Sequence, residues 1–217
     1  MLIDLHTHTF MSDGALLPSE HVRRAWVKGY RAVAITDHAD ISNIESLLRK
    51  SVPVCRELSE AWPITALPGV ELTHVPPGHI DRLTKLARSL GARVVVMHGE
   101  TPVEPVPPGT NMAAIEARVD ILAHPGILTE EEARRAAELG VALEISARRG
   151  HCLGNGRVAS LGRNFGNTLI INSDTHEPGD FLSEELHRKV GLGAGLSEEE
   201  YAQLCRNSET LLERLMK

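Results

Sequence analysis

Histidines and acidic residues recur in this sequence at the ends of short apolar segments. The first segment runs into His6-Thr7-His8, and the last runs into Asp174-Thr175-His176. Nine residues occupy such positions: His6, His8, Asp13, His38, Glu71, His98, His124, Asp174 and His176. Imidazole and carboxylate groups together suit zinc, manganese or iron. Packing alone would not explain six histidines at equivalent positions, so the pattern predicts a metal centre.

The segments that carry these residues have the features of buried parallel strands. Each is short, apolar on both faces and rich in Val, Ile or Leu. They cover residues 2–6, 32–36, 64–71, 93–98, 120–124, 141–146 and 168–174. Amphipathic helical patterns lie between them, with capping boxes at Thr129/Glu132 and Ser197/Glu200. The alternation predicts an α/β fold, a distorted seven-stranded TIM-like barrel. An open doubly wound sheet is the alternative.

A barrel of this kind would bring the nine residues together. The carboxyl ends of its parallel strands all meet at one face. Because side chains alternate along a strand, His6 and His8 are expected to face the same way. We therefore expect one pocket that holds about two to three divalent ions. The length of 217 residues fits a single domain over residues 1–217.

The order of these motifs resembles that of the polymerase and histidinol phosphatase (PHP) family. The resemblance spans the chain. The residues that match the family's motifs are 4–9 together with 12–14, then 35–38, 69–71, His98, His124-Pro125 and 172–176. It implies a metal-dependent phosphoesterase on a distorted barrel of seven strands. It also implies a first ion held by His6, His8, Glu71 and Asp174. Glu71 would bridge to a second ion on His98 and His124, and a third would lie on Asp13, His38 and His176.

The implied chemistry is phosphate ester hydrolysis. Paired divalent ions lower the pKa of water and stabilise the attacking and leaving oxygens, which gives Glu71 and Asp174 catalytic importance. Arg148, Arg149 and His151 follow the sixth segment, which supplies no metal ligand at its end. We expect an arginine there to bind the phosphate, because guanidinium pairs well with phosphate, and His151 to protonate the leaving oxygen. The alternative is a solvated loop.

Several other polar residues lie outside this set of predicted site residues. Asp4 and Asp37 adjoin ligands and either orient imidazoles or make ordinary strand-end hydrogen bonds. The proline-rich segment 101–111 is a stiff connection or a rim of the active site. His21, His79 and His187 fall on predicted helices or at their starts and are interpreted as surface residues.

Composition narrows the class of function. The chain has 23 basic and 29 acidic residues, so its formal net charge of -6 argues against binding of long nucleic acid. No apolar run reaches the length of a membrane span or a signal peptide. Three scattered cysteines favour a reducing compartment, which predicts a cytoplasmic protein.

These observations favour hydrolysis of a small phosphate monoester, either histidinol-phosphate-like or nucleotide-like. A phosphodiesterase or nuclease that uses the same ions is the second interpretation. A non-catalytic metal-binding accessory module is the third, and it would predict missing ligands or an added domain. The substrate, the metal and the oligomeric state do not follow from the sequence.

Overall fold

Parallel strands form a nearly closed barrel in the computed structural model, which describes residues 2–217. The strands are β1 (Leu2–Thr7), β2 (Tyr30–Ile35), β3 (His38–Ala39), β4 (Thr65–Leu72), β5 (Val94–His98), β6 (Ile121–Ala123), β7 (Ala142–Ser146) and β8 (Leu169–Asn172). Their hydrogen-bonded order is β1-β2-β4-β5-β6-β7-β8, and β3 pairs with β4. An isolated parallel bridge between Thr7 and Thr175 links the two ends of this series.

Helices cover the outside of the barrel. They are α1 (Pro18–Val27), α2 (Ile44–Ala61), α3 (Ile80–Ser89), α4 (Thr110–Glu116), α5 (Glu130–Leu139), α6 (Asn155–Phe165), α7 (Glu184–Gly193) and α8 (Glu198–Leu215). Both predicted capping boxes are formed, at the starts of α5 and α8. None of the helices in residues 2–217 has the length and apolar character to cross a bilayer.

The predicted distorted barrel of seven strands is confirmed, with one addition. All seven predicted segments form strands, and the added β3 has only two residues. Such a short strand has no detectable periodicity. It pairs His38 with Glu71 of β4, so it places one predicted ligand beside another.

The amino-terminal part of the barrel interior is filled by aliphatic side chains. Inward side chains of the strands, such as Ile3, Val96 and Ile121, form one cluster with Leu211 and Leu215 of α8. The end of α8 therefore closes the amino-terminal end of the barrel. This arrangement leaves the carboxyl-terminal end as the face where polar side chains meet.

Irregular backbone at the strand ends aims the polar side chains. The register of β1 against β2 shifts between Asp4 and Thr7, next to His6. His124 and Asp174 have positive φ angles of 28° and 54°, which side-chain-bearing residues rarely adopt. Such strain costs of the order of 1–3 kcal/mol per residue and is concentrated at functional sites.

Candidate metal centre

The centre is built around Glu71, a buried residue near the carboxyl end of β4. Glu71 Oε1 lies 3.2 Å from His6 Nε2 and 3.2 Å from His98 Nδ1. The same oxygen lies 3.4 Å from His124 Nε2. The Glu71 side chain is fully buried. One carboxylate thus joins histidines from the ends of β1, β5 and β6.

Asp174 closes this group from the side of β8. Its Oδ1 lies 3.2 Å from His8 Nε2 and 3.8 Å from His6 Nε2. Its Oδ2 lies 3.9 Å from His124 Nε2. Two carboxylates therefore face the same buried histidines from opposite sides.

A second group lies at the opening. Asp13 Oδ1 is 3.2 Å from His176 Nε2 and 3.5 Å from His38 Nε2. The Asp13 side chain is 55% exposed and that of His38 is 27% exposed, whereas the other seven predicted ligands are buried. The structure thus brings together all nine residues in a series from interior to surface.

The donor atoms of this cluster fit a metal ion. His6 Nε2, both ring nitrogens of His8 and Asp174 Oδ1 are buried and make no hydrogen bond of acceptable geometry within residues 2–217, although charged groups lie as close as 3.2 Å. A buried polar atom without a partner costs about 1–3 kcal/mol. Several such atoms around one point, with imidazole and carboxylate character, fit bound transition-metal ions.

The two central carboxylates stay ionised. Burial acts to raise the pKa of Glu71, but the imidazoles of His6, His38 and His98 hold it well below its usual range. Burial also opposes ionisation of Asp174, and His6 and His8 hold its pKa below its usual range. A cation would therefore meet two negative charges on buried carboxylates.

Arg148 reaches this centre, but Arg149 does not. Arg148 lines a cavity of about 240 Å³ that includes Asp13, Asp174 and His176. Arg148 Nη1 donates to the backbone oxygen of Asp174 at 3.1 Å. Arg149 is exposed and lies outside the lining of this cavity.

His151 lies inside the same cavity and is buried. Its Nδ1 is 2.7 Å from Thr101 Oγ1, and its ring stacks on His124 with centroids 4.2 Å apart. Burial lowers the pKa of His151 to about 4, so the ring is neutral near pH 7.

The proline-rich segment 101–111 forms part of the rim. Glu104 Oε2 lies 3.0 Å from His98 Nε2 and 3.3 Å from His74 Nε2. Glu104 Oε1 lies 3.5 Å from His151 Nε2. These contacts favour the rim interpretation over a simple connection. In the sequence, Glu104 could have been identified as an acidic residue that follows a predicted strand.

Sequence reasoning also missed Glu144, which lies in β7. Glu144 is fully buried, and its Oε2 lies 2.8 Å from His6 Nδ1. The sixth predicted segment ends without a metal ligand, yet it supplies this carboxylate two residues before its end. A charged residue inside an apolar strand was the signal that could have found it.

The surface interpretation was wrong for His21 and His187. Both are buried, with exposed fractions of 0% and 5%, whereas His79 is exposed as predicted. His21 Nε2 lies 2.8 Å from Thr7 Oγ1, so α1 turns this residue toward the barrel.

Asp4 and Asp37 make ordinary hydrogen bonds at strand ends. Asp37 accepts from Thr9 N at 2.8 Å and from Ser12 Oγ at 2.6 Å. Asp4 accepts from the backbone of Ser173 at 3.2 Å. Within residues 2–217 neither carboxylate is hydrogen-bonded to an imidazole, so of the two alternatives the structure favours ordinary hydrogen bonding at strand ends.

Comparison with known proteins gives relatives along the whole chain. A protein of Methanocaldococcus jannaschii described as uncharacterized is 49% identical over 218 residues, which cover 99% of this chain and 100% of that protein. A histidinol phosphate phosphatase from Lactococcus lactis, solved with zinc, L-histidinol and phosphate, has a TM-score of 0.62 at 16% identity. That match covers 90% of this chain and 94% of the other.

A chain of an archaeal ribonuclease P, solved with mature tRNA, has a TM-score of 0.75 at 14% identity. That match covers 99% of this chain and 91% of the other. At such identities the two solved structures establish similarity of fold. The PHP domain family matches residues 4–214. The chain therefore belongs to the PHP domain family.

Proposed function

We propose that this protein is a metal-dependent phosphoesterase that hydrolyses a small phosphate monoester. The observation that carries the proposal is the convergence of nine imidazole and carboxylate side chains in one cluster beside the cavity, where several buried donor atoms make no hydrogen bond within residues 2–217. An intact ligand set beside an open cavity is typical of a catalytic centre.

We assign the ligands to three ions. The first would be held by His6, His8, Glu71 and Asp174, and the second by Glu71, His98 and His124. The third would be held by Asp13, His38 and His176, the group nearest the surface. Divalent zinc, manganese or iron in these positions would supply an activated water and charge stabilisation for the phosphoryl oxygens.

Arg148 binds the outer oxygens of the substrate phosphate in this proposal. Its guanidinium lies at the cavity wall, 3.6 Å from Asp174 Oδ2 through Nε. Guanidinium groups pair with phosphate through two parallel hydrogen bonds. Arg149, which is exposed, is the weaker of the two arginine candidates.

His151 is the candidate for protonating the leaving oxygen. Its low pKa keeps the ring neutral before the substrate binds. A phosphate anion beside the ring would raise this pKa and favour the protonated form. Thr101 Oγ1 contacts Nδ1, so Nε2 is the nitrogen that faces the cavity. This Nε2 lies 3.9 Å from Asp174 Oδ2.

The cavity favours a small monoester over a polymer. Its volume of about 240 Å³ and its lining of polar residues alone suit a phosphate group with a short substituent. The net charge of -6 disfavours long nucleic acid. The similar fold in a ribonuclease P assembly keeps a phosphodiester as the second candidate. A non-catalytic accessory module fits poorly, because no predicted ligand is missing.

We further propose that residues 1–217 act as a single domain in the reducing cytoplasm. The family match over 4–214 supports one domain. Cys55, Cys152 and Cys205 are free thiols, which suits a reducing compartment.

Phosphate release from a panel of esters tests this function. The protein would be reconstituted with zinc, manganese or iron and assayed on amino-alcohol phosphates, nucleoside monophosphates, an aryl phosphodiester and a single-stranded oligonucleotide. We expect hydrolysis of at least one monoester at least about 10-fold faster than of either diester, and loss of activity with a chelator. Faster diester cleavage would establish the second candidate. Inactivity on every ester with metal bound would contradict the proposal.

A further inference from the structure

We propose that Glu144 is a positioning residue that orients His6 toward the metal centre. This inference rests on the proposed function, because it assigns a role relative to the bound ion. It concerns a side chain of β7, the strand that supplies no predicted ligand.

His6 lies between two carboxylates, one at each ring nitrogen. Its Nε2 is 3.2 Å from Glu71 Oε1, on the side of the centre. Its Nδ1 is 2.8 Å from Glu144 Oε2, on the opposite side. Donation of the Nδ1–H to Glu144 leaves the Nε2 lone pair free for an ion. Carboxylates placed in this way fix the tautomer and increase the basicity of the ligating nitrogen.

Asn172 of β8 holds Glu144 in place. Its Nδ2 donates to Glu144 Oε2 at 2.8 Å, and its Oδ1 accepts from Leu5 N at 2.9 Å. These contacts connect β1, β7 and β8 around the seam where the barrel closes. The position of the Glu144 carboxylate is therefore set by the barrel itself.

A purely structural role explains Glu144 poorly. The side chain is fully buried, and its Oε1 has no hydrogen-bond partner among residues 2–217. Burial of a carboxylate costs several kcal/mol unless its oxygens are well satisfied, and an apolar residue would often pack there at lower cost. The retained charge is best explained by the imidazole that it contacts.

Two other proposed ligands, His8 and His124, lack such a contact at Nδ1, which in both rings has no hydrogen-bond partner within residues 2–217. Their close carboxylates lie at Nε2, where His8 is 3.2 Å from Asp174 Oδ1 and His124 is 3.4 Å from Glu71 Oε1. Glu144 therefore orients His6 and, through His6, affects the first of the proposed ions.

Metal affinity of Glu144 variants tests the role. Glu144→Ala removes the acceptor and the charge, so we expect the tightest-bound zinc to be held about 10–100-fold more weakly. Glu144→Gln retains an oxygen acceptor without the charge, and we expect a loss of about 3–10-fold. Competition with a chromophoric chelator measures the affinity, and thermal unfolding of the metal-free protein measures stability.

Glu132→Ala is the matched control. Glu132 is also buried, but it closes the capping box of α5 and is outside the candidate ligand groups. We expect this control to lower stability and leave zinc affinity within about twofold. The proposal would be overturned if Glu144→Ala folds and, like the control, keeps its zinc affinity within about twofold of the unaltered protein.

Three further outcomes of these experiments each have a defined interpretation. If Glu144→Ala does not fold, Glu144→Gln decides: a loss of at least about threefold in zinc affinity supports the proposal, and a smaller change overturns it. If the unaltered protein binds no metal, the proposed function fails, and the positioning role fails with it. Metal binding by the unaltered protein with no Glu144 effect overturns the positioning role alone.

Discussion

Glu71 joins the parts of the candidate centre because its two oxygens face different histidines. Oε1 faces His6, His98 and His124, and Oε2 lies 2.6 Å from His38 Nδ1. The charge of this carboxylate therefore acts on more than one of the proposed ions.

Replacement of Glu71 tests this position. Glu71→Gln keeps the shape but removes the charge, so we expect kcat to fall by at least about 100-fold in the metal-reconstituted protein. Steady-state kinetics on the best ester measures it. His79→Ala, which alters an exposed histidine, should retain activity within about twofold. Equal losses in the two variants would mean that the active site lies elsewhere.

The neighbouring arginines form a natural pair of test and control. Arg148→Ala should weaken transition-state binding by about 2–4 kcal/mol, measured as a fall in kcat/KM. The reason is the loss of a charge-assisted contact to the substrate phosphate. Metal content should not change. Arg149→Ala should be close to the unaltered protein, because its side chain is exposed. Full kcat/KM in Arg148→Ala would show that phosphate binding does not need this residue.

At the scale of the residue, sequence reasoning identified the candidate ligands but not the groups that surround them. The nine candidates lie at the carboxyl ends of strands or in the loops that follow them, and a shared position can be recognised in a sequence. Glu144 and Glu104 contact those histidines from β7 and from the 101–111 segment. Such contacts depend on which segments become neighbours around the barrel, and spacing along the chain does not give this.

At the scale of the element, the seven longer strands were predictable because each is a continuous apolar segment. The short β3 was not, because two residues carry no pattern. Close approach between strand ends is also invisible in the sequence. A Cβ on Gly99, which follows β5, would lie 2.3 Å from Ala123 O and 2.8 Å from Pro125 Cα.

Gly99→Ala tests the importance of this approach. The added methyl meets backbone that flanks His124, so we expect a loss of about 1–3 kcal/mol in the free energy of unfolding. We also expect weaker metal binding. Gly78→Ala is the control, because a Cβ there meets no atom of residues 2–217 within 4 Å. Urea unfolding compares the two. Equal stability would show that β5 and β6 can separate at little cost.

At the scale of the whole molecule, the surroundings of His187 depend on how α7 and α8 pack. Its Nδ1 lies 2.9 Å from the hydroxyl of Tyr201 in α8. An amphipathic pattern does not reveal which neighbour covers a residue, which explains why the sequence placed His187 at the surface. Burial lowers the pKa of His187 to about 4.

This burial predicts acid sensitivity. The unfolded chain, with a histidine pKa of about 6.5, takes up the proton more readily than the folded protein. The contribution of His187 is therefore complete above about pH 6.5 and is lost as pH falls toward 4, by up to about 3 kcal/mol. Urea unfolding of metal-free protein across this range should show a shallower pH dependence for His187→Asn. His79→Ala should keep the original dependence, and an unchanged slope in His187→Asn would contradict the assignment.

The metal content of the purified protein tests the central claim most directly. Elemental analysis would use protein purified without chelators and protein reconstituted in turn with zinc, manganese and iron. Nine converging ligands predict about two to three ions per chain. A content near zero after all three reconstitutions would contradict the metal centre and the hydrolytic function built on it.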